Sequence, residues 1–356
     1  MEILLGQVFV DWRCDPLKPK TRCDDAQFRG VNFNGSLRNL WLINNERREN
    51  MERSLTNICW NETKAANLYD CLAQDPGYWN ANRHLVSLLK ERGLKSGQTV
   101  VDAGSGTGVN SLLLIKEILG TKGRVIGVDY SESMVSYARG KVSNGLPIEF
   151  RVGDASRIST VVEEDPVHAI ASFNLVHLLE DLLGAMREWY EKLSDGGILA
   201  FSSTVYDGAI PQEARRIYWK AILGAHRLAK ERFPETIGTL KKMLKHTPDY
   251  YFRIVQQAGF IDIRMEEKVF NFSKEGVLAF VQVPGMADSM MPADIPPCAQ
   301  REMLVQSIEK TVKESLPRKT VFITARKKEA RHDTWDLRAP CRVSNAGHLA
   351  PSVGPR

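Results

Sequence analysis

The stretch Val100-Val-Asp-Ala-Gly-Ser-Gly-Thr-Gly108 decides how this chain is read. It opens as a short apolar run, the composition of a strand buried on both faces. Three glycines at alternate positions follow, and then the helical run Asn110 to Leu119. A glycine turn between a buried strand and a helix lets backbone N–H groups approach a ligand closely. Gly104, Gly106 and Gly108 leave no side chains in the way,. Small residues at such turns also serve packing alone, so both roles stand open at this point.

Working outward, the rhythm repeats. Arg124 to Asp129 reads as a second strand, and Ser131 to Val142 as a helix opened by Ser131 as N-cap,. Ile148 to Val152, Val167 to Phe173 and Ile198 to Ser202 read as further strands, with a helix over Leu179 to Leu193 closed by Asp195-Gly196-Gly197. Strands alternating with helices of this length imply parallel pairing through right-handed crossovers. Phe260 to Phe270 and Arg318 to Ala325 add two more strands. The expected fold class is α/β: a doubly wound, mostly parallel seven-stranded sheet with inserted helical cap segments.

Six segments follow from this reading. Residues 1–61 form an irregular N-terminal extension, broken by Pro16, Pro19, Gly30 and Gly35, and residues 62–97 hold N-terminal helices. Residues 98–205 form the ligand-binding core and 206–248 a helical insertion of about two helices. Residues 249–326 complete the domain and carry a second insertion at 273–317, and 327–356 form a disordered basic tail,. The second insertion leaves the far end of the sheet if its strand is antiparallel.

Composition bounds the function. Of 356 residues 43% are apolar and 26% charged, which excludes wholesale disorder, a collagen-like repeat and a coiled-coil rod,. The net charge is +5, and seven basic against three acidic residues from Arg326 to Arg356 account for +4 of it. A near-neutral body argues against a nucleic-acid-binding face. Cys14, Cys23, Cys59, Cys71, Cys298 and Cys341 show no metal-site spacing and read as reduced thiols of a cytoplasmic protein, with no metal expected,. No apolar run reaches the roughly 18 residues of a membrane span. The apolar start of the chain lacks the preceding basic residue of a signal peptide,.

Three acids sharpen the glycine turn. A dinucleotide fingerprint would need glycine where Val109 stands, and Asp102 before the turn would repel a pyrophosphate,. It would attract a cation. S-adenosylmethionine carries an ammonium and a sulfonium and no phosphate, so the turn favours it over a nicotinamide dinucleotide. Asp129 ends the second strand, 21 residues beyond Gly108, where α/β nucleotide folds place a carboxylate for ribose hydroxyls,. The alternative is an ordinary loop aspartate. Asp154 can accept from an adenine amino group while Ala155 lets the ring approach, and Asp154 can equally cap the helix after it,.

Four segments resemble, in order, the motifs of the class I, seven-stranded S-adenosylmethionine-dependent methyltransferases. They are Val101 to Gly108, Gly127 to Met134, Gly153-Asp154-Ala155 and Phe173 to Asp181. The likeness runs from about Gln98 to Thr204 and is fainter over Ala258 to Ile263 and Thr320 to Arg326. It implies methyl transfer with S-adenosylmethionine as cofactor. It also implies cofactor contacts by Asp102, Gly104, Gly106, Gly108, Asp129, Tyr130, Asp154, Ala155 and Asn174. Within the family the chain looks like the small-molecule branch of quinone and natural-product biosynthesis, its partner being a small acceptor and not a nucleic acid.

Methyl transfer is an in-line displacement, and the enzyme chiefly holds the nucleophile in line with the breaking bond. A base is needed only if the acceptor begins protonated. His177, just after strand four, is the candidate catalytic residue; a structural role at a helix start is the alternative. Leu178 follows it, where many relatives carry a second histidine. His84, His226 and His246 are further candidates for a base. Tyr78 and Trp79 stand where relatives cover the cofactor, or pack as plain aromatics. Tyr206, Tyr218, Trp219, Phe233, Phe280 and the methionines 286, 290 and 291 suit the insertions to an apolar or aromatic acceptor,. The methionine loop reads equally as exposed. A second function class stays open: a methyltransferase-like regulatory or partner protein that binds the cofactor without acceptor turnover.

Overall fold

A computed structural model of the chain describes residues 62–142, 145–235, 246–283 and 286–330. The expected N-terminal extension at 1–61, and all but the first four residues of the expected tail at 327–356, lie outside the described residues. Seven strands form: β1 (Thr99–Ala103), β2 (Arg124–Asp129), β3 (Ile148–Val152), β4 (Val167–Phe173), β5 (Leu193–Ser203), β6 (Ile261–Ser273) and β7 (Ser315–Arg326). They make one sheet in the order β3-β2-β1-β4-β5-β7-β6. Strands β1 to β5 pair in parallel. Strand β7 is antiparallel to both β5 and β6, so β6 runs with the first five. Both insertions therefore leave from the carboxyl edge of the sheet, and only β7 is reversed.

Alternation along the strands divides the core. Val101, Ile126, Ile170 and Leu199 pack with Trp189 and Tyr251 in one cluster. Val100, Val125, Ala169 and Phe322 pack with Leu85 and Leu89 in another. Helix α1 (Glu62–Ala73) packs through Ala65 and Ala66 on Met134 of α4 (Glu132–Lys141), and the helices against the sheet are α2 (Pro76–Glu91), α3 (Val109–Leu114), α4, α5 (Leu182–Lys192) and α7 (Pro248–Gln257). Side-chain caps fix several starts: Asp75 accepts from Gly77 and Tyr78 at α2, and Ser131 accepts from Met134 at α4,. The other oxygen of Asp75 accepts from the backbone and hydroxyl of Ser273, tying α2 to the end of β6.

Three details depart from the sequence expectation. The helix expected over Asn110 to Leu119 widens into a π-turn at Ile115–Leu119. Strand β5 begins at Leu193, which pairs with Val167, while Ile198 pairs with Ala169. The intervening Asp195-Gly196-Gly197 is thus a bulge within the strand, with Gly196 at φ 69°, and not only a helix stop,. The first insertion forms one 21-residue helix, α6 (Gln212–Arg232), and residues 236–245 lie outside the described set. The second forms α8 (Lys274–Gln282), α9 (Met286–Met290) and α10 (Pro297–Thr311). Among the described residues, no helix is long and apolar enough to cross a membrane.

Candidate active site

Strand order turns back between β1 and β4, and in open α/β sheets that switch point opens a crevice at the carboxyl edge,. The glycine turn leaves β1 here, and Asn174 and His177 leave β4 beside it. Gly104 and Ser105 both donate their N–H to Val128 O, at 2.8 and 3.0 Å, which anchors the turn on β2. The three glycines differ. A Cβ on Gly104 would meet Leu175 at 2.9 Å, and one on Gly108 would meet Phe150 at 2.5 Å, so both serve packing. Gly106 has φ 51°, and a Cβ there would meet nothing within 4 Å. Its α-carbon faces open space.

The acids surround this opening. Asp102 is fully buried; its Oδ2 accepts from Ser111 Oγ at 2.6 Å, and its Oδ1 has no partner. Burial pushes its carboxyl up to about 7, with Asp129 adding repulsion and Ser111 acting the other way,. Ser105 Oγ and Asn110 Oδ1 are likewise buried without a partner. Asp129 accepts from Gly106 N at 2.8 Å and Ser131 N at 3.0 Å, and burial raises its pKa against the pull of both amides. Tyr130 next to it is 79% exposed. Asp154 caps the short helix Ala155–Thr160, accepting from the backbone and hydroxyl of Ser156, and those bonds lower its pKa. Ala155 is buried, and its carbonyl accepts from Trp189 Nε1 at 2.7 Å.

On the β4 side, Asn174 adopts φ 58° and its Oδ1 accepts from Thr204 N and Thr204 Oγ1, both at 2.8 Å. Tyr78 is buried close by; burial pushes its hydroxyl up to about 12, and the Asn174 side chain pulls the other way. His177 Nδ1 lies 3.3 Å from Ser203 Oγ. Burial, reinforced by Arg318, depresses its pKa to about 3, so the ring is neutral at physiological pH.

Residues 94–267 match the family described as a methyltransferase domain. The chain carries a methyltransferase domain. Its fold is that of the class I, Rossmann-like S-adenosylmethionine-dependent methyltransferases, enzymes whose cofactor is S-adenosylmethionine. Arsenite methyltransferase of Halobacterium salinarum is 32% identical over 121 residues, which cover 33% of this chain and only 30% of that protein. Demethylmenaquinone methyltransferase of Staphylococcus saprophyticus is 23% identical over 218 residues, covering 58% of this chain and 92% of that enzyme. Among solved structures, Haemonchus contortus phosphoethanolamine N-methyltransferase 2 with S-adenosyl-L-methionine aligns with TM-score 0.47 and 19% identity, over 78% of this chain and 60% of that one.

Within the methyltransferase domain, two of the four candidate histidines stand near the end of β5: His177 beside Ser203, and His246, whose carbonyl accepts from Asp207 N at 2.9 Å. His84 pairs with Glu266, His226 Nε2 lies 2.7 Å from Met290 O, and His246 stacks on Tyr250 at 3.9 Å. The methionines 286, 290 and 291 are buried, which removes the exposed-loop alternative. A small apolar cavity of about 30 Å³ lies where the two insertions meet. Tyr218 and Ile222 of α6, Val277 and Phe280 of α8, Met290 of α9 and Leu316 of β7 line it, and Arg318 closes it. Trp219 is exposed instead, and Tyr206 packs into the core with its hydroxyl on Glu267.

Helix α1 brings residues that carried no motif. Thr107 of the glycine turn donates to Asp70 at 3.3 Å, and Lys141 of α4 pairs with the same carboxylate. Tyr69 is partly buried and its hydroxyl pKa is raised by burial, then by Tyr78, Tyr130 and Asp129. No spacing rule marks these positions, because an acid on an amphipathic helix is ordinarily solvated.

Proposed function

We propose that the protein transfers a methyl group from S-adenosylmethionine to a small acceptor with an apolar or aromatic body, seated between the two insertions. The observation that carries this reading is a chain of contacts joining the crevice to the cavity. Asn174 holds Thr204, and Thr204 O accepts from Arg318 Nε at 2.8 Å at the cavity wall. In this reading residues 98–205 hold the cofactor, and 206–248 and 273–317 form the acceptor lid.

The residues fit the cofactor. It supplies an electrophilic methyl on a sulfonium. The unpartnered Oδ1 of Asp102 is the acceptor for its ammonium, and Ser105 and Asn110 offer further unpaired polar atoms. Asp129 keeps lone pairs for ribose hydroxyls beyond its two amide bonds,. Gly106 leaves the room, while Gly104 and Gly108 hold the turn in shape. Asp154, Ala155 and the exposed Tyr130 border the adenine side, and Asn174 borders the transferring methyl.

His177 is the catalytic residue of this reading, and its depressed pKa makes it a weak base. It suits an acceptor that arrives ionised or with an acidic hydroxyl,. The cavity is small, so a sizeable acceptor enters only as α6 and the second insertion part.

Labelled-methyl transfer from S-adenosylmethionine into small molecules of an extract tests the reading. Label in an extractable small molecule supports it. Cofactor binding without transfer to any small molecule would make the protein a cofactor-binding regulator, and absence of cofactor binding would overturn the reading entirely.

A further inference from the structure

Arg318 is the group in this region whose charge the methyltransferase reading leaves unused. It lies at the start of β7, on the strand's approach to the carboxyl end of β5. Its Nε donates to Thr204 O, and its guanidinium sits 4.5 Å over the Phe280 ring. Its terminal nitrogens make no hydrogen bond, and no carboxylate pairs with it, among the described residues. Tyr206, Tyr218 and His177 are the titratable groups that face it. The acid in reach of Tyr206, Glu267, accepts the Tyr206 hydroxyl and lies 3.9 Å from Lys319 Nζ. Burial lowers the Arg318 pKa, as expected for a cation without a counter-ion,.

A structural role does not need this charge. A neutral side chain of similar length would fill the space over Phe280, and one backbone bond to Thr204 uses a single donor of five. The guanidinium lies over Phe280 at the wall of an apolar cavity, and its two terminal nitrogens form a fork suited to a carboxylate,. Among the described residues only one cation lines the cavity, so one negative charge is matched and a second would stay uncompensated.

We propose that Arg318 is a specificity-determining residue that binds a monoanionic carboxylate on the acceptor, whose apolar body lies among Tyr218, Ile222, Phe280 and Met290. This rests on the methyltransferase reading and narrows it: the acceptor is an aromatic or aliphatic acid. Position follows from the contact chain, because an acid held by Arg318 is held beside Thr204, Asn174 and His177.

The test uses the full chain saturated with S-adenosylhomocysteine and a matched series of benzoate, phenylacetate, cinnamate and indole-3-acetate with their primary amides. Binding is read by ligand-observed NMR titration. At least one acid is expected to bind 10-fold or more tightly than its amide. That preference should vanish in Arg318→Met and persist in reduced form in Arg318→Lys, with S-adenosylhomocysteine affinity changed less than two-fold in both. Phenyl phosphate is expected to bind no more tightly than benzoate. The proposal is overturned if no acid in the series binds better than its amide, if the preference survives in Arg318→Met, or if phenyl phosphate is preferred. The wild-type comparison stands even if a variant fails to fold. Loss of S-adenosylhomocysteine binding by the wild-type protein would instead overturn the methyltransferase reading.

Discussion

The Gly106 amide donates to Asp129 Oδ2 across 2.8 Å, so the open glycine of the turn and the acid ending β2 are joined directly. The carboxylate thereby has two tasks: it fixes the turn, and it keeps lone pairs toward the crevice. Asp129→Ala removes both. The expected loss in S-adenosylhomocysteine affinity is about 1.5–3 kcal/mol, typical of hydrogen bonds to a charged group. Asp129→Asn, which keeps one acceptor oxygen for an amide, should lose less. Isothermal titration calorimetry checks this, and unchanged affinity in the alanine variant would remove Asp129 from the site.

Gly106→Val tests the opening itself. A Cβ at this position meets nothing within 4 Å, so the substitution creates no clash with the protein. The cost is the left-handed backbone, φ 51°, about 1–2 kcal/mol for a residue with a side chain,. The variant should remain folded by circular dichroism and lose cofactor binding, because the branched side chain projects into the space the ligand needs. Gly108→Val would be expected to unfold instead, since Phe150 stands 2.5 Å away. A folded Gly106→Val protein that binds normally would place the cofactor elsewhere.

Asp102 makes a prediction about pH. Its carboxyl is pushed up to about 7 by burial, from an ordinary value near 4,. Between those values the native state holds a proton that the unfolded chain has released, so the stability of the ligand-free protein falls as pH rises through this window. Below pH 4 the group contributes nothing, and above 7 the full penalty of a buried charge is present. Asp102→Asn should therefore raise Tm at pH 8 and leave it nearly unchanged at pH 4, while weakening S-adenosylmethionine binding by removing the partner of its ammonium. Thermal scans from pH 4 to 8 decide it. A Tm difference independent of pH would show that Asp102 is not held near neutrality.

The parallel core was legible because β1, β2 and β4 are apolar runs closed by the residues that turn the chain, and Asp102 and Asp129 mark their ends. What failed to show depended on distant pairing. The direction of β6 is set by its ladder with β7, and nothing local in Ile261 to Ser273 specifies it. The bulge in β5 was hidden because Asp-Gly-Gly is also the ordinary end of a helix. Thr204 and Arg318 stand 114 positions apart, and an arginine heading an apolar strand reads as a solvated flank until the helices packed around it are known. Asp70 is similar: its contact with Thr107 spans 37 positions. The glycines show the opposite limit, since one pattern, GxGxG, holds two packing positions and one open one.

His177 gives the last prediction, and its sign opposes that of Asp102. Burial, with Arg318 adding repulsion, depresses the imidazole to about 3, against an ordinary value near 6.5,. Between pH 3 and 6.5 the unfolded chain binds a proton that the native state refuses, so this group lowers stability as pH falls through that window. At pH 7 and above it has no effect. His177→Gln should accordingly flatten the acid limb of the stability curve and leave Tm at pH 8 close to wild type, whereas Asp102→Asn acts at the alkaline end. In NMR titrations of the protein bound to S-adenosylhomocysteine, the His177 ring resonance should not shift between pH 5 and 9. Arg318→Met, by removing the repelling charge, should move its titration upward. A His177 midpoint near 6.5 in the wild-type protein would mean that the ring is solvated, and would restore it as an ordinary general base.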